Sequence, residues 1–315
     1  METAILLSAF NGEKFIAEQV RSILQQSYPQ WTLYIRDDAS TDGTLTEIKK
    51  MQDEFSEKIV LLKDALGNLG AKKSFSELLK QVKADYYVFA DQDDVWKSNK
   101  LSKMMERMKL EEKMHGKQFP LLVHHDLEIA NEKLETLATS FYSYTGSSSA
   151  FAQQNTILWR NVIPGCSMMV NAELVKLAGD IPEQAIMHDY WLVLFAHFFG
   201  KISFIPESLT IYRQHGNNSL GAEKSETHKS WKTVYRNIRF ARQNKDWYIH
   251  RFKRYQEQAQ AFCDRFPKDE TKIEMARKFI ALNASMPKFK RKKLVFFNRF
   301  RAGSFKDNVE LLFSI

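Results

Sequence analysis

The chain has 315 residues, 46 of them Lys or Arg and 38 Asp or Glu, for a formal net charge of +8. That length exceeds the usual single domain and predicts one catalytic unit with an appendage. No apolar stretch approaches the roughly 20 residues needed to cross a bilayer and no signal peptide is evident, which predicts a cytoplasmic protein with at most peripheral membrane attachment.

Residues 4–7 (Ala-Ile-Leu-Leu) predict a fully buried strand, broken at Asn11 and Gly12. A helix is expected over residues 13–26, with Phe15, Ile16, Val20, Ile23 and Leu24 on its apolar stripe. Residues 31–35 predict a second strand that ends in Asp37 and Asp38, and a helix capped by Ser40 or Asp42 follows.

The densest signal comes next. Residues 85–90 (Asp-Tyr-Tyr-Val-Phe-Ala) form an apolar strand that runs directly into Asp91, Gln92, Asp93 and Asp94. In extended backbone Asp91 and Asp93 would share a face, with α-carbons roughly 7 Å apart. Clustered carboxylates repel, and a hard cation such as Mg2+ or Mn2+ relieves that repulsion while leaving positions for phosphate oxygens. The plain alternative is a solvated acidic turn capping a helix that begins near Ser98. Two strands deliver acids to what a right-handed crossover makes one sheet edge, and such edges bind ligands in α/β folds.

Residues 121–125 predict a further strand, on which the adjacent His124 and His125 point to opposite faces, so that one is structural; Asp126 follows. Tyr142, Tyr144, Phe151 and Trp159 lie in a Ser- and Gly-containing stretch, either as a sugar-stacking platform or as packing under a loop. Residues 163–170 include Gly165 and Cys166. A helix is expected from His188, Asp189, Tyr190 and Trp191 to about residue 199, where Asp189 is either an N-cap or a catalyst. An alternating strand from Leu209 leads to Arg213 and His215.

Residues 8–13 (Ser-Ala-Phe-Asn-Gly-Glu), 36–44 (Arg-Asp-Asp-Ala-Ser-Thr-Asp-Gly-Thr), 68–70 (Asn-Leu-Gly) and 91–96 (Asp-Gln-Asp-Asp-Val-Trp) resemble, in order and spacing, family 2 glycosyltransferases. The likeness is strongest to the bacterial branch of rhamnosyltransferases that build cell-wall and capsular polysaccharides, and it spans about residues 3–220. It implies a GT-A-like (Rossmann-like) α/β fold, a mixed, mainly parallel sheet flanked by helices. It also implies a nucleotide-sugar site made of Ala9, Phe10, Glu13, Asp37, Asp38, Asn68, Gly70, Asp91, Gln92 and Arg213, with Asp37 or Asp38 accepting from the pyrimidine N3–H and Arg213 contacting diphosphate or acceptor. Asp93, Asp91 and His215 are implied as metal ligands and Asp189 as the general base of an inverting transfer. His125, Asp126, Gly165, His188 and Trp191 are the acceptor-side candidates, Gly165 by leaving room for the acceptor. The implied donor is dTDP-β-L-rhamnose, with UDP-glucose or UDP-galactose open, and the implied acceptor is a lipid-linked glycan. A sugar-1-phosphate nucleotidyltransferase would need a Gly-rich basic loop after the first strand, which residues 8–13 lack. A non-enzymatic basic membrane or nucleic-acid module would leave the acids unexplained, so no nucleic-acid partner is expected.

Charge divides the chain. Residues 1–221 carry a net −5 and residues 222–315 a net +13, and Glu223 and Glu226 mark the boundary between a catalytic domain and a basic helical extension. In the extension Trp231, Val234, Tyr235, Ile238 and Ala241 recur at helical steps, and a basic run over 288–293 precedes Phe296, Phe297 and Phe300. Exposed aromatics beside that run would attach the chain peripherally to an anionic membrane face; the alternatives are a stripe packed on the catalytic domain or a contact with a second copy. Cys166 and Cys263, far apart and outside any Cys-x-x-Cys pairing, are expected to be reduced and buried.

Overall fold

β1 (Thr3–Ala9) is buried at every position but Ser8, because it lies between two parallel neighbours, β2 (Trp31–Asp37) and β4 (Tyr86–Ala90). Strands covered on both faces read as continuous apolar runs rather than alternating ones. This computed structural model describes residues 2–216, 239, 243–268, 271–282, 286–287, 289–290, 293 and 300.

β3 (Ile59–Leu62) extends the sheet parallel to β2. On the other side β8 (Met168–Asn171) runs antiparallel to both β4 and β6 (Leu121–Ala130). β9 (Lys201–Arg213) lies parallel to β6, and β5 (Val95–Trp96) pairs antiparallel with β9. The order is β3-β2-β1-β4-β8-β6-β9-β5, with β7 (Thr136–Ala138) paired to β6. Two antiparallel steps through β8 restore the original direction. The carboxyl ends of β1, β2, β4 and β9 therefore share one edge, which gathers Asp37, Asp91 and His215.

Alternation along β1 splits the interior into two layers. Ile5 and Leu7 face α1 (Ile16–Leu24), α2 (Thr44–Glu54) and α4 (Lys100–His115) through Ile16, Val20, Ile48, Leu101 and Met104. Ala4 and Leu6 face α3 (Ala71–Gln81), the short helix α6 (Ala172–Ala178) and α7 (His188–Phe199), while the short helix α5 (Phe141–Thr145) lies against β6 and β7. That second layer continues into α8 (Lys245–Asp264) and α9 (Glu274–Ile280): Phe262 meets Phe195 edge-on at 5.0 Å, and Phe252 meets Phe279 at the same distance.

The described part of the extension thus packs its aromatic stripe on α7. Phe300, expected at a membrane surface, is fully buried, and its carbonyl accepts from Trp159 Nε1 at 2.9 Å. Trp159 is likewise packed rather than presented. Phe289 is 81% exposed. Trp231, Val234, Tyr235, Ile238, Ala241, Phe296 and Phe297 lie outside the described residues. Among the described residues no helix is long and apolar enough to cross a membrane. Cys166 and Cys263 are both free and buried.

Candidate active site

The end of β2 separates two adjacent acids. Asp38 is enclosed: its carboxylate accepts from Leu69 N and Gly70 N at 2.8 Å each and is paired with the buried Arg36 guanidinium, which also holds Asp64. Asn68 donates to the Asp38 carbonyl at 2.9 Å, and Gly70 presents its N–H from a positive φ of 75° that disfavours other residues. Asn68, Gly70 and Asp38 are therefore committed to one another. Asp37 Oδ2 accepts from Ser40 N at 3.1 Å, while its buried Oδ1 has no partner among the described residues. Of the two acids, Asp37 holds the open acceptor.

Across the cleft mouth, Gln92 clamps Phe10 at both ends of its peptide, Phe10 N donating to Oε1 at 2.8 Å and Nε2 donating to the Phe10 carbonyl at 2.9 Å. A Cβ on Gly12 would sit 2.3 Å from Gln92 Oε1, so the glycine is what lets the clamp close. Ala9 is buried with its carbonyl accepting from Asp38 N at 2.7 Å, and Phe10 stays 44% exposed. The Glu13 carboxylate accepts from Gly43 N at 2.8 Å, ahead of α2.

After β4 the backbone does not stay extended. Residues 92–93 form a turn, so Asp91 and Asp93 do not share a strand face as expected. Asp93 Oδ2 lies 2.8 Å from His215 Nε2, and the imidazole stacks on Phe15 at 4.8 Å. Asp91 instead groups with the buried Asp94 and Cys166, their ligand atoms all within 4.8 Å of one another. Burial, Asp93 and Asp189 together push the Asp91 carboxyl up to about 7. Asp94 is also pushed up, by burial and by Asp91 and Asp93.

Lys100 sits fully buried beneath this turn, donating to the Cys166 carbonyl at 2.7 Å and to Thr210 Oγ1 at 3.0 Å, its ammonium 3.6 Å from the Trp96 ring centroid. Burial lowers its pKa to about 7. A lysine opening a helix reads in sequence as solvated, and nothing local marks this one as interior.

Arg213 departs from expectation. Its Nε donates to the Asp93 carbonyl at 2.8 Å, Nη1 to the Glu132 carbonyl at 2.6 Å and Nη2 to Glu18 Oε2 at 2.5 Å. The guanidinium is 3% exposed and braces the acidic turn from behind, so its fork is spent on the protein rather than on diphosphate or acceptor.

Asp189 stands in the first turn of α7, whose N-cap is Met187, so it is not the cap. Its Oδ1 accepts from Tyr190 N at 2.6 Å and its Oδ2 from Asn161 Nδ2 at 3.2 Å. Burial pushes its carboxyl up to about 6, against the lowering by these donors. Asn161 is held in turn, Nδ2 donating to the Ile163 carbonyl at 2.9 Å and Oδ1 accepting from Ile163 N at 3.0 Å. Asn161 was not singled out in sequence because it follows an aperiodic, aromatic stretch.

The other acceptor-side candidates prove interior. A Cβ on Gly165 would lie 3.3 Å from Asp189 Cβ and 3.4 Å from His188 Nε2, so the room it leaves is taken by α7 itself. His188 stacks on Phe75 at 4.0 Å, neither ring nitrogen has a partner among the described residues, and burial lowers its pKa to about 3. Trp191 is fully buried and donates to the Ala178 carbonyl at 3.2 Å. His125 Nδ1 lies 2.6 Å from the Asp126 carbonyl, and the Asp126 carboxylate accepts from Leu127 N, Ser140 Oγ and Phe141 N at 2.8, 2.5 and 3.0 Å. His124 is buried as well, so both histidines of the pair are structural. Period-two patterning cannot identify a strand covered on both faces.

Asp93 and His215 offer a carboxylate oxygen and an imidazole nitrogen 2.8 Å apart that fit a hard or borderline cation such as Mn2+, while Asp91, expected beside them, groups with Asp94 and Cys166 instead. Asp94 and Cys166 fit it less well, because burial and the two acids push the Cys166 thiol up and hold it protonated.

Residues 4–118 match the family described as Glycosyl transferase family 2. This stretch is a family 2 glycosyltransferase domain. The domain makes the chain a glycosyltransferase, the enzyme class its motifs predict. The dTDP-rhamnosyl transferase RfbG of Shigella flexneri is 27% identical over 253 residues, covering 77% of this chain and 80% of that protein. The UDP-Glc:alpha-D-GlcNAc-diphosphoundecaprenol beta-1,3-glucosyltransferase WfgD of Escherichia coli is 32% identical over 107 residues, 33% of this chain but only 40% of the relative. Among solved structures, the mannosyltransferase PcManGT of Pyrobaculum calidifontis in complex with GDP-Man and Mn2+ superposes with a TM-score of 0.55 at 13% identity, over 99% of this chain and 85% of that one. At that identity the likeness is one of fold, and the fold is GT-A.

Proposed function

We propose that the glycosyltransferase moves a sugar, with inversion, from a nucleoside-diphosphate donor to a hydroxyl of a lipid-linked glycan. dTDP-β-L-rhamnose is the favoured donor, on the motif likeness and on the extended similarity to a dTDP-rhamnosyl transferase. UDP-glucose is the second reading, since a UDP-Glc transferase is 32% identical over 107 residues. The observation that carries the proposal is the convergence of Asp91 and Asp189: Asp91 groups with Cys166 within 4.8 Å, the adjacent Gly165 abuts Asp189, and Asp93 and Asp189 both push the Asp91 carboxyl up.

In this reading Asp37 Oδ1, the acceptor left open, takes the pyrimidine N3–H, and exposed Phe10 borders the base. Asp93 and His215, with Asp91 as the further ligand, would hold Mg2+ or Mn2+, which would neutralise charge growing on the leaving diphosphate. Asp189 takes the proton of the attacking hydroxyl. Its partial burial raises its basicity above that of a solvated aspartate, and Asn161 keeps Oδ2 in place.

Residues 1–221 supply the catalytic part and residues 222–315 a basic extension. Its net +13 suits attachment to the anionic inner face of the cell membrane, where the acceptor would be presented. A screen of donor hydrolysis and transfer across dTDP- and UDP-sugars with Mg2+ or Mn2+ tests the proposal. Turnover of dTDP-β-L-rhamnose above UDP-glucose supports it, the reverse order selects the second reading, and no turnover of any nucleotide sugar contradicts both.

A further inference from the structure

The approach to α7 is irregular chain, residues 181–187, and Met187 gives it no side-chain cap. Two side chains from different helices of the second layer fix its backbone. From α3, Lys72 Nζ donates to the carbonyls of Glu183 and Ala185 at 2.7 and 2.9 Å. From α8, Gln258 Oε1 accepts from Ile186 N at 2.8 Å. Gln258 is 0% exposed, and its Nε2 has no partner among the described residues, so its one hydrogen bond is to this segment. A glutamine is seldom buried on an aromatic helix face unless its amide has a task.

Three residues after Ile186 comes Asp189. We infer that Gln258 is a positioning residue for Asp189, and that the C-terminal extension thereby completes the active site instead of serving only as an attachment. The inference rests on Asp189 being the general base. Losing the acceptor leaves the Ile186 N–H unpaired in a part-buried place, and the segment shifts to recover a partner. Because Phe195, Phe198 and Phe199 pack on Phe262 and lock the body of α7 to α8, the shift is confined to the first turn, where the carboxylate is. Misplacing a base by about 1 Å costs on the order of a hundredfold in rate. Binding of the nucleotide, built from β1, β2 and β4, does not depend on this contact.

The test is Gln258→Met in the full chain, with Gln258→Glu as the variant that keeps an acceptor oxygen. Gln258→Met is expected to lower kcat roughly ten- to hundredfold while the KM for donor and Mn2+-dependent UDP binding by calorimetry stay within about twofold. Gln258→Glu is expected to recover most of that loss. A kcat within about twofold of the parent, or equal losses in kcat and UDP binding without rescue, overturns the inference. If Gln258→Met does not fold, Lys72→Met, which frees the same segment from the other side, must give the same split. Asp189→Asn runs alongside: if it keeps the parental kcat, the base assignment itself fails, whereas an inactive Asp189→Asn beside a fully active Gln258→Met removes only the role of Gln258.

Discussion

Asn161 and Asp189, from the loop before Gly165 and the first turn of α7, are joined by a 3.2 Å hydrogen bond in which the amide donates to Oδ2. A donor to the ionised form lowers a carboxyl's pKa, here against a burial that raises it to about 6. Asn161→Leu removes the donor and raises the Asp189 pKa further. The base works only when deprotonated, so activity is lost as pH falls through that pKa. The acid limb of kcat/KM should move to higher pH, by up to about one unit, since a hydrogen bond to a charged group contributes about 1.5 kcal/mol. An acid limb that stays put or moves down would contradict the assignment.

Asp37 and Asp38 are neighbours with opposite duties, and substitution should separate them. Arg36→Met leaves Asp38 buried without its cation, and breaking a buried pair from one side typically costs about 3–5 kcal/mol. Urea denaturation should register that loss. Asp37→Asn should leave the unfolding midpoint near the parent's yet weaken nucleotide binding roughly tenfold, because the amide of Asn offers only one acceptor oxygen. Equal stability in Arg36→Met would refute the structural role of Asp38.

Much of this was legible beforehand, and the boundary of legibility is physical. Strands β1, β2 and β4 announce themselves as apolar runs, and the acids at their ends mark the edge that the sheet order later assembles. The expected helix over residues 13–26 is seen as α1, Ile16–Leu24, shorter because Phe15 and Gln25 flank its helical backbone. What could not be read was commitment. Arg213, Asp126 and Asn68 carry the right groups for a ligand, but their partners Glu18, Ser140 and Asp38 are distant in sequence, so nothing local tells a spent hydrogen bond from an open one. Asn161 and Gln258 escape for the converse reason, since a polar residue gains its meaning from the backbone it reaches.

Asp93 and His215 should answer to metal together. Their 2.8 Å contact places a carboxylate oxygen and an imidazole nitrogen side by side at the open edge. Asp93→Asn is expected to weaken Mn2+-dependent UDP binding at least about tenfold, and His215→Gln by less, since a dication prefers the charged ligand. EDTA should abolish transfer and added Mn2+ restore it. Full activity after exhaustive chelation would exclude a metal role for the pair.

His188 gives the fold a pH signature that can be separated from catalysis. Its pKa of about 3 in the folded chain, held down by burial, compares with about 6.5 when unfolded. Below about 6.5 the unfolded chain binds a proton the folded one refuses, so the stability this neutral imidazole permits is full above that pH and is lost as pH falls toward 3. The loss from one such group is about 2 kcal/mol at pH 5. His124, held near 3 by burial, acts in the same direction. Asp189 acts oppositely, because a carboxyl raised to about 6 lets the folded chain hold a proton that the unfolded one has released. These contributions overlap in the parent, and His188→Phe should isolate that of one imidazole. Phe preserves the stack on Phe75 and breaks no hydrogen bond to the described residues. Relative to the parent, the variant should gain stability between pH 7 and pH 5 by up to about 2 kcal/mol in urea titrations. A difference between the two proteins that does not change with pH would mean that the imidazole is not held neutral in the fold.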